Sequence, residues 1–208
     1  MPAARLRAHF PALPDLPRDT PRIEGFTLRQ QASVAVLLRA TDPVDLLFIK
    51  RAENPRDPWS GHMALPGGRR EEADVDLLGT AIRETREETG ITLDPDQYLG
   101  RLPFVAPRGP TIPRVVVVPY LFAVPGGTTA IPGPGEVQET GWVSVDHLRA
   151  PDTLGELQVE LPNGRRTFPT YRVGSDVIWG MTYRIVEDLL LTLEGVRLKE
   201  TSSPPTRR

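Results

Sequence analysis

Short apolar runs separated by polar turns mark the first part of the chain that forms a core. Ser33 to Leu38 and Leu46 to Ile49 are apolar, and a polar turn around Thr41-Asp42-Pro43 joins them. Two short apolar runs connected in this way are typical of neighbouring strands. The pattern therefore predicts a β-hairpin.

The strongest helical pattern follows a proline-rich loop and a Pro-Gly-Gly turn. Apolar residues recur there at helical spacing, namely Leu77, Leu78, Ala81 and Ile82. Asp74 is a plausible N-cap, and Gly90 lies where a helix would end. We therefore predict a helix over Val75–Thr89 and, on similar grounds, a second amphipathic helix from Met181 to Leu193.

The remaining apolar runs are typical of strands. Val115 to Val124 is β-branched but contains Pro119, which predicts a strand that is broken by a bulge or lies at an edge. Gly141 to Val145 predicts another strand, and Leu157 to Tyr171 predicts a hairpin with a turn at Asn163-Gly164. The element order predicts an α/β or α+β sandwich, a mixed sheet covered by helices.

The length of 208 residues suits a single core with additional segments at both ends. We predict an N-terminal arm over residues 1–30, one domain over 31–197 and a disordered tail over 198–208. Prolines in residues 1–22 favour an extended, helix-poor lead. Three of its apolar side chains could dock on the domain, namely Leu6, Phe10 and Leu13.

Composition narrows the possible classes of protein. With 39% hydrophobic and 25% charged residues the chain resembles a soluble globular protein. Its net charge of -2 supplies no overall field that would attract nucleic acid or a membrane, and no run is long enough to span one. The lack of cysteine excludes disulfides and thiolate catalysis. We expect a cytoplasmic protein with neither nucleic acid nor membrane as partner.

Three acids crowd one side of the predicted helix. Glu84, Glu87 and Glu88 stand at i, i+3 and i+4, so their charges repel each other and oppose the helix dipole. They could form a solvated face with Arg83 and Arg86, but clustered oxygen ligands are also what Mg²⁺ requires. The preceding turn, Pro66-Gly67-Gly68, favours a site, because glycines let the backbone approach a metal or a phosphate.

Together these residues resemble the signature of the Nudix hydrolases, which comprises a glycine, a spaced acid, Arg-Glu, Glu-Glu and a final glycine with an apolar neighbour. The matching positions are Gly68, Asp74, Arg83-Glu84, Glu87-Glu88 and Gly90-Ile91. The resemblance implies an α/β/α sandwich with a mixed sheet between helices. It also implies hydrolysis of a nucleoside diphosphate derivative with Mg²⁺ or Mn²⁺.

Two departures from the general signature point to one branch of the family. The spaced acid is Asp74 instead of Glu, and one extra residue separates it from Arg83. Both features are similar to the coenzyme A diphosphatase branch, as are Leu47–Ala52, Arg56 and Gly61 upstream and Ile178–Thr182 downstream. Lys50 and the spacing from Arg56 to Gly61 depart from that branch. The implied substrate is coenzyme A or its esters, giving 3′,5′-ADP and (acyl-)4′-phosphopantetheine.

The resemblance also implies roles for individual residues. Metal ligands would be Glu84, Glu87, Glu88 and the Gly67 carbonyl, with Arg83 orienting the carboxylates and Glu136, or secondarily Glu139, as a further acid. Substrate binding would fall to Arg51, Arg56, Gly67 and Gly68. Apart from the resemblance, Arg69, Arg70, Arg108 and Arg114 are near enough in sequence to suggest a phosphate clamp.

Other interpretations of these residues remain open. Arg51 and Arg56 could be ordinary surface charge, Asp74 could be only the helix N-cap, and His62 has no evident partner and is read as structural. A Nudix hydrolase for ADP-ribose, dinucleotides or nucleoside triphosphates is the rival within the family. A nucleotide-sensing module without catalysis is the rival outside it, and a homodimer is possible.

Overall fold

The computed structural model describes residues 1–54, 60–107, 114–161 and 164–199. Its helices are α1 Pro2–His9, α2 Leu77–Thr89, α3 Val145–Arg149 and α4 Gly180–Leu193. Its strands are β1 Gln31–Arg39, β2 Asp45–Arg51, β3 Met63–Ala64, β4 Gly67–Arg69, β5 Tyr98–Arg101, β6 Val116–Val124, β7 Val137–Ser144, β8 Leu154–Leu161, β9 Gly164–Val173 and β10 Asp176–Trp179.

The main sheet is mixed, as the sequence predicted. Its order is β3-β2-β1-β6-β5, with β4 also paired to β1 and β7 also paired to β2. β1 and β6 run parallel over their whole length, whereas the β1–β2 hairpin is antiparallel. β2 pairs with only the last two residues of β1, Leu38 and Arg39, so β4 can occupy the same edge nearer the start of β1. This arrangement brings the Pro-Gly-Gly turn into the sheet.

Alternating side chains on β1 divide the core into two layers. Val36 and Leu38 pack in the layer that also contains residues of α1 and α4, whereas Ala35 and Leu37 pack in the layer that contains residues of α2. Helices therefore cover both faces of the sheet. This confirms the predicted sandwich of α/β (α+β) class. β10, β9 and β8 form a separate antiparallel sheet whose Tyr171 and Ile178 join the first layer.

The N-terminal lead differs from the extended arm predicted from its prolines. Pro2 to His9 form α1, in which Pro2 occupies the first turn, where its missing N–H costs no hydrogen bond. Leu6 is fully buried, and Phe10 and Leu13 are buried as well. The predicted docking of these side chains is therefore confirmed, whereas the prediction of an extended, helix-poor conformation is wrong for Pro2–His9.

The prediction for Pro119 is also wrong. β6 runs without interruption between β1 and β5, and the register shift lies in β5, between Tyr98 and Gly100. The Pro119 carbonyl accepts a hydrogen bond from Leu102 N (3.0 Å), just beyond the last paired residue of β5. Because N and C=O of one strand residue point to the same side, the missing N–H faces the end of β5 and leaves the ladder intact.

Some predictions fall on residues outside the described ranges. They are Asn163 of the hairpin turn, Arg56, Arg108 and most of the predicted tail. In the described ranges, none of the helices combines the length and the apolar character needed to cross a bilayer.

Candidate active site

Two glycines bring β4 close to its neighbours. Gly67 lies opposite Val34 and Gly68 opposite Ser33. A Cβ at Gly67, whose φ is 153°, would lie 2.6 Å from the Val34 Cα, and a Cβ at Gly68 would overlap the carboxylate of Glu84. At Gly67 the obstacle is main chain, so only glycine permits this approach, whereas at Gly68 it is the end of the Glu84 side chain.

Helix α2 presents its acids to this turn. It begins after Asp76, whose side chain accepts a hydrogen bond from Gly79 N at 2.8 Å, and it ends at Gly90 in the left-handed region. Asp74 is therefore not the N-cap, contrary to the alternative reading of the sequence. The predicted helix end is confirmed, and the predicted start at Val75 is two residues early.

The three helical acids have different surroundings. Glu88 is 5% exposed and accepts a hydrogen bond from Gly67 N at 2.8 Å. The Glu84 side chain is 14% exposed, whereas that of Glu87 is half exposed. Glu84 and Glu88 thus face the glycine turn, and Glu87 lies at the rim.

Arg83 connects the acids. Its Nε and Nη2 donate to the two carboxylate oxygens of Asp74 at 2.9 and 3.1 Å, and its Nη1 lies 2.9 Å from Glu84 Oε1 and 3.0 Å from Glu87 Oε2. The Arg83 guanidinium lowers the pKa of Asp74 to about 2. Asp74 therefore stays ionised and holds Arg83 in place, which is the geometry expected of an orienting residue.

Burial disfavours the ionised form of the Glu88 carboxylate. Desolvation raises the pKa of Glu88 to about 8, although the Gly67 N–H opposes this rise, and the nearby Glu84 charge increases it. Desolvation also raises the pKa of Glu84, and Arg83 counteracts it only in part. A bound cation would restore the ionised form of both carboxylates.

The loop between β6 and β7 adds Glu136 to the cluster. Ile131 N and Gly133 N donate to the last carbonyls of α2, those of Thr89 (2.9 Å) and Glu88 (2.8 Å). The Glu136 charge contributes to the raised pKa of both Glu84 and Glu88, so this carboxylate lies near them. Glu139 instead pairs in register with Lys50.

Gly133 of this loop was not among the residues that the sequence indicated as functional. A Cβ there would overlap the Glu87 carbonyl. A glycine three residues before a candidate acid was the available signal.

The predicted phosphate-binding arginines separate into two groups. Arg51 lies at the end of β2, and its charge lowers the pKa of Glu88, so it belongs to the cluster. Arg69 donates to the carbonyl of Arg29, and Arg70 donates to the carbonyl of Val75. Arg114 stacks over Phe26, 4.9 Å from the ring centre. The structure thus places Arg51 near the acids, whereas the other three arginines contact groups outside the acid cluster.

The donor set fits a hard divalent cation. Among the described residues no three carboxyl or imidazole groups converge on one ion position as they stand. Arg83 and Gly67 instead hold the acids individually. Oxygen ligands in a partly buried site with surplus negative charge are nevertheless the chemistry that Mg²⁺ and Mn²⁺ favour.

Sequence comparison finds relatives that are named as Nudix hydrolases or as a coenzyme A diphosphatase. Human mitochondrial coenzyme A diphosphatase NUDT8 is 32% identical over 152 residues, covering 71% of this chain and 62% of that protein. The uncharacterized Nudix hydrolase NudL of Pectobacterium atrosepticum is 26% identical over 173 residues, covering 83% and 88%. The chain spans 53% of a Schizosaccharomyces pombe relative, the uncharacterized protein C14C4.10c, so it covers about half to two thirds of the length of two of these relatives.

Comparison of the fold with solved structures also finds a protein of the Nudix type. A crystal structure of a MutT/nudix family protein from Enterococcus faecalis superposes with a TM-score of 0.54 at 19% identity, covering 84% of this chain and 71% of that one. At this identity the likeness concerns the fold alone. The family model described as NUDIX domain matches residues 28–161, which include the glycine turn, helix α2 and the Glu136 loop. The chain therefore belongs to the Nudix hydrolase family.

Proposed function

We propose that this chain is a divalent-metal-dependent diphosphatase that hydrolyses a phosphoanhydride bond in a nucleoside diphosphate derivative. The observation that carries the proposal is the pair of carboxylates that faces the Gly67-Gly68 turn, Glu88 buried and Glu84 partly buried. Two neighbouring carboxylates shielded from water repel each other, and although Arg83 pairs with Glu84, a bound cation would stabilise the ionised form of both. A module that only binds nucleotides has little need to keep such a pair.

The proposed roles follow from the contacts of the site. Glu84, Glu87, Glu88 and the Gly67 carbonyl would hold Mg²⁺ or Mn²⁺, which when bound neutralises phosphate charge and makes a water more acidic. Arg83, anchored by Asp74, keeps Glu84 and Glu87 oriented. A carboxylate oxygen of Glu84 or Glu136 would accept the proton of the attacking water, and Arg51 would contact the phosphates.

Coenzyme A and its esters are the substrates that we favour. The extra residue between Asp74 and Arg83 supports this choice, as does the name of the human relative, a coenzyme A diphosphatase. The products would be 3′,5′-ADP and (acyl-)4′-phosphopantetheine. A cytoplasmic location remains a prediction, because the human relative is named as mitochondrial, and the homodimer remains a prediction as well.

A substrate panel with Mg²⁺ and with Mn²⁺ tests the proposal. Coenzyme A, an acyl ester, ADP-ribose, NADH and nucleoside triphosphates are compared, and we expect the largest kcat/KM for coenzyme A or its ester. If coenzyme A is among the poorest substrates, the substrate assignment is wrong. If none is cleaved but nucleotides bind, the non-catalytic module is the better description.

Glu88→Gln is the variant that tests the site itself. We expect turnover to fall by roughly a hundredfold or more with the fold intact, because the variant loses one of the acids that bind the metal. Glu156→Gln, an exposed acid on β8, is the matched control and should leave turnover unchanged. Near-normal activity of Glu88→Gln would exclude the proposed metal site.

A further inference from the structure

Three aromatic rings from separate segments meet at one end of the small sheet. The ring centres of His62 and Trp179 lie 5.1 Å apart in an edge-to-face arrangement, and those of Phe168 and Trp179 lie 5.6 Å apart. Each of the three side chains is partly exposed. His62, Phe168 and Trp179 are called the aromatic wall below.

The two rings of the sheet lie on the face opposite to the one that carries Ile178 and Tyr171. Trp179 pairs with Thr170, two residues from Phe168, so both rings lie on the same side. Their neighbours Ile178 and Tyr171 point to the opposite side and are buried in the core. The aromatic wall is therefore not part of the hydrophobic core, and large aromatic rings in such a position favour contact with a ligand.

The aromatic wall is joined directly to the carboxylate site. Arg51 N donates to the His62 carbonyl, and Gly61 N donates to the Arg51 carbonyl, both at 3.1 Å. The next residue, Ala52, donates its N–H to the Glu136 carbonyl at 2.9 Å. One strand end thus contacts both the aromatic wall and the loop that carries Glu136.

An ion pair fixes the sheet of the aromatic wall to the same strand. Lys50 Nζ lies 2.8 Å from Asp176 Oδ1, with both side chains less than one third exposed. β10 is therefore held beside β2, and the position of Trp179 depends on the strand that ends at Arg51. A ligand that contacts both the carboxylate site and the aromatic wall would bind to segments that this ion pair holds together.

We propose that the purine base of the substrate binds at the aromatic wall and stacks on Trp179, while its diphosphate lies at Glu84 and Glu88. His62 and Phe168, whose ring planes are inclined to that of Trp179 by 77° and 57°, would contact the edge of the base. This inference rests on the proposed function. A diphosphate beside Arg51 would direct an attached nucleoside towards His62, which lies opposite Arg51. Every base has a flat π face, so an aromatic ring can stack on it whatever the base.

Two of the three rings of the aromatic wall lie outside the part of the chain that matches the family model. Phe168 and Trp179 lie beyond residue 161, where the match to the family model ends. The metal site would then supply the reaction common to the family, and the C-terminal sheet would supply recognition of the base.

Tryptophan fluorescence tests base stacking without turnover. The chain has three tryptophans, so a variant with Trp59→Phe and Trp142→Phe reports on Trp179 alone. We expect adenosine 3′,5′-bisphosphate to quench this fluorescence and 4′-phosphopantetheine, which lacks a base, to leave it unchanged. Quenching by 4′-phosphopantetheine instead would assign the wall to the pantetheine arm and overturn the proposal.

Affinity measurements complete the test. Trp179→Ala and Phe168→Ala should each weaken binding of adenosine 3′,5′-bisphosphate about fivefold to a hundredfold, and Trp179→Phe should retain most of it. Leu191→Ala, which removes a 37% exposed apolar side chain from α4, is the control and should bind like the wild type. Wild-type affinity in both alanine variants would overturn the proposal.

The two proposals can fail separately. Hydrolysis of coenzyme A with an unchanged KM in both Phe168→Ala and Trp179→Ala would remove the stacking role and leave the proposed function. If adenosine 3′,5′-bisphosphate quenches the Trp179 fluorescence but the wild-type chain cleaves no substrate of the panel, stacking is supported and the diphosphatase activity is excluded.

Discussion

Single glycines determine where the acids of the site can lie. The space beside Gly68 holds the Glu84 carboxylate, and the space beside Gly133 holds the backbone of α2. The obstacle is the end of a flexible side chain in the first case and main chain in the second. Substitution at Gly68 should therefore alter the site, whereas substitution at Gly133 should alter the packing of a loop.

Gly68→Ala should reduce activity with little loss of stability. The added methyl would displace the Glu84 carboxylate, and a misplacement of about 1 Å at a reacting centre costs about a hundredfold in rate. The free energy of unfolding should change by less than about 1 kcal/mol, because only a side chain has to move. Gly141→Ala is the control, since its Cβ would meet no atom within 4 Å. Activity within twofold of that control would contradict the assigned position of Glu84.

The buried Glu88 gives the metal-free protein a specific pH dependence. Its pKa is about 8 in the fold against an ordinary 4.5, so between these values the folded chain keeps a proton that the unfolded chain releases. The free energy of unfolding should therefore fall as the pH rises from 5 to 8. Urea unfolding in EDTA measures this slope, which Glu88→Gln should reduce. A parallel slope in the variant would assign the effect to another group.

The sequence could identify these acids but not their partners. The Glu84, Glu87 and Glu88 spacing is local, whereas the difference between Asp74 and Asp76 depends on where the chain turns into α2. Asp76 caps the helix, and Asp74 instead reaches Arg83 nine residues later. No local pattern distinguishes two aspartates two residues apart.

Among the elements, α1 shows how composition can mislead. Several prolines suggested an extended lead, yet only Pro2 lies inside the helix, at the position that tolerates it best. The burial of Leu6 depends on the layer of the core that also holds α4, which is distant in sequence. Docking could be suggested from apolar spacing, but the helix itself is stabilised by tertiary packing.

Leu6→Ala should destabilise the whole domain. Leu6 is fully buried, and truncation of such a side chain costs about 2–5 kcal/mol, which corresponds to roughly 5–15 °C in Tm for a chain of this size. Leu154→Ala, at a 51% exposed position, should lower Tm far less. Calorimetry compares them, and activity at 25 °C should persist because α1 lies in the layer opposite α2. An unchanged Tm would show that the arm does not contribute to folding.

At the scale of the whole molecule, cation binding should couple the site to stability. Ligands that bind only the folded state stabilise it by about 2.7 kcal/mol at a hundred times their Kd. Mg²⁺ or Mn²⁺ should therefore raise Tm, EDTA should lower it and abolish turnover, and the rise should be larger at pH 8 than at pH 6 because Glu88 must ionise. A Tm that does not respond to either ion would contradict the metal site.

The overall topology was predictable only in its local parts. The β1–β2 hairpin follows from neighbouring apolar runs, but the parallel pairing of β1 with β6 joins segments about 85 residues apart along the chain, as in Gln31 with Val116. The short strands β4 and β5 contain glycines and lack a strand pattern of their own. β4 and β5 are strands because they pair with β1 and β6, so tertiary contacts and not their own sequences determine their conformation.

The hydrogen bonds from Ile131 and Gly133 to the end of α2 have a consequence for motion. Carbonyls at a helix end usually bond to water, and amides of a loop usually exchange with solvent deuterium quickly. Here the two amides donate hydrogen bonds to the helix carbonyls of Thr89 and Glu88. Slow deuterium exchange at Ile131 and Gly133 would show that the loop bearing Glu136 opens together with the helix, so these two amides are native probes of the intact active site.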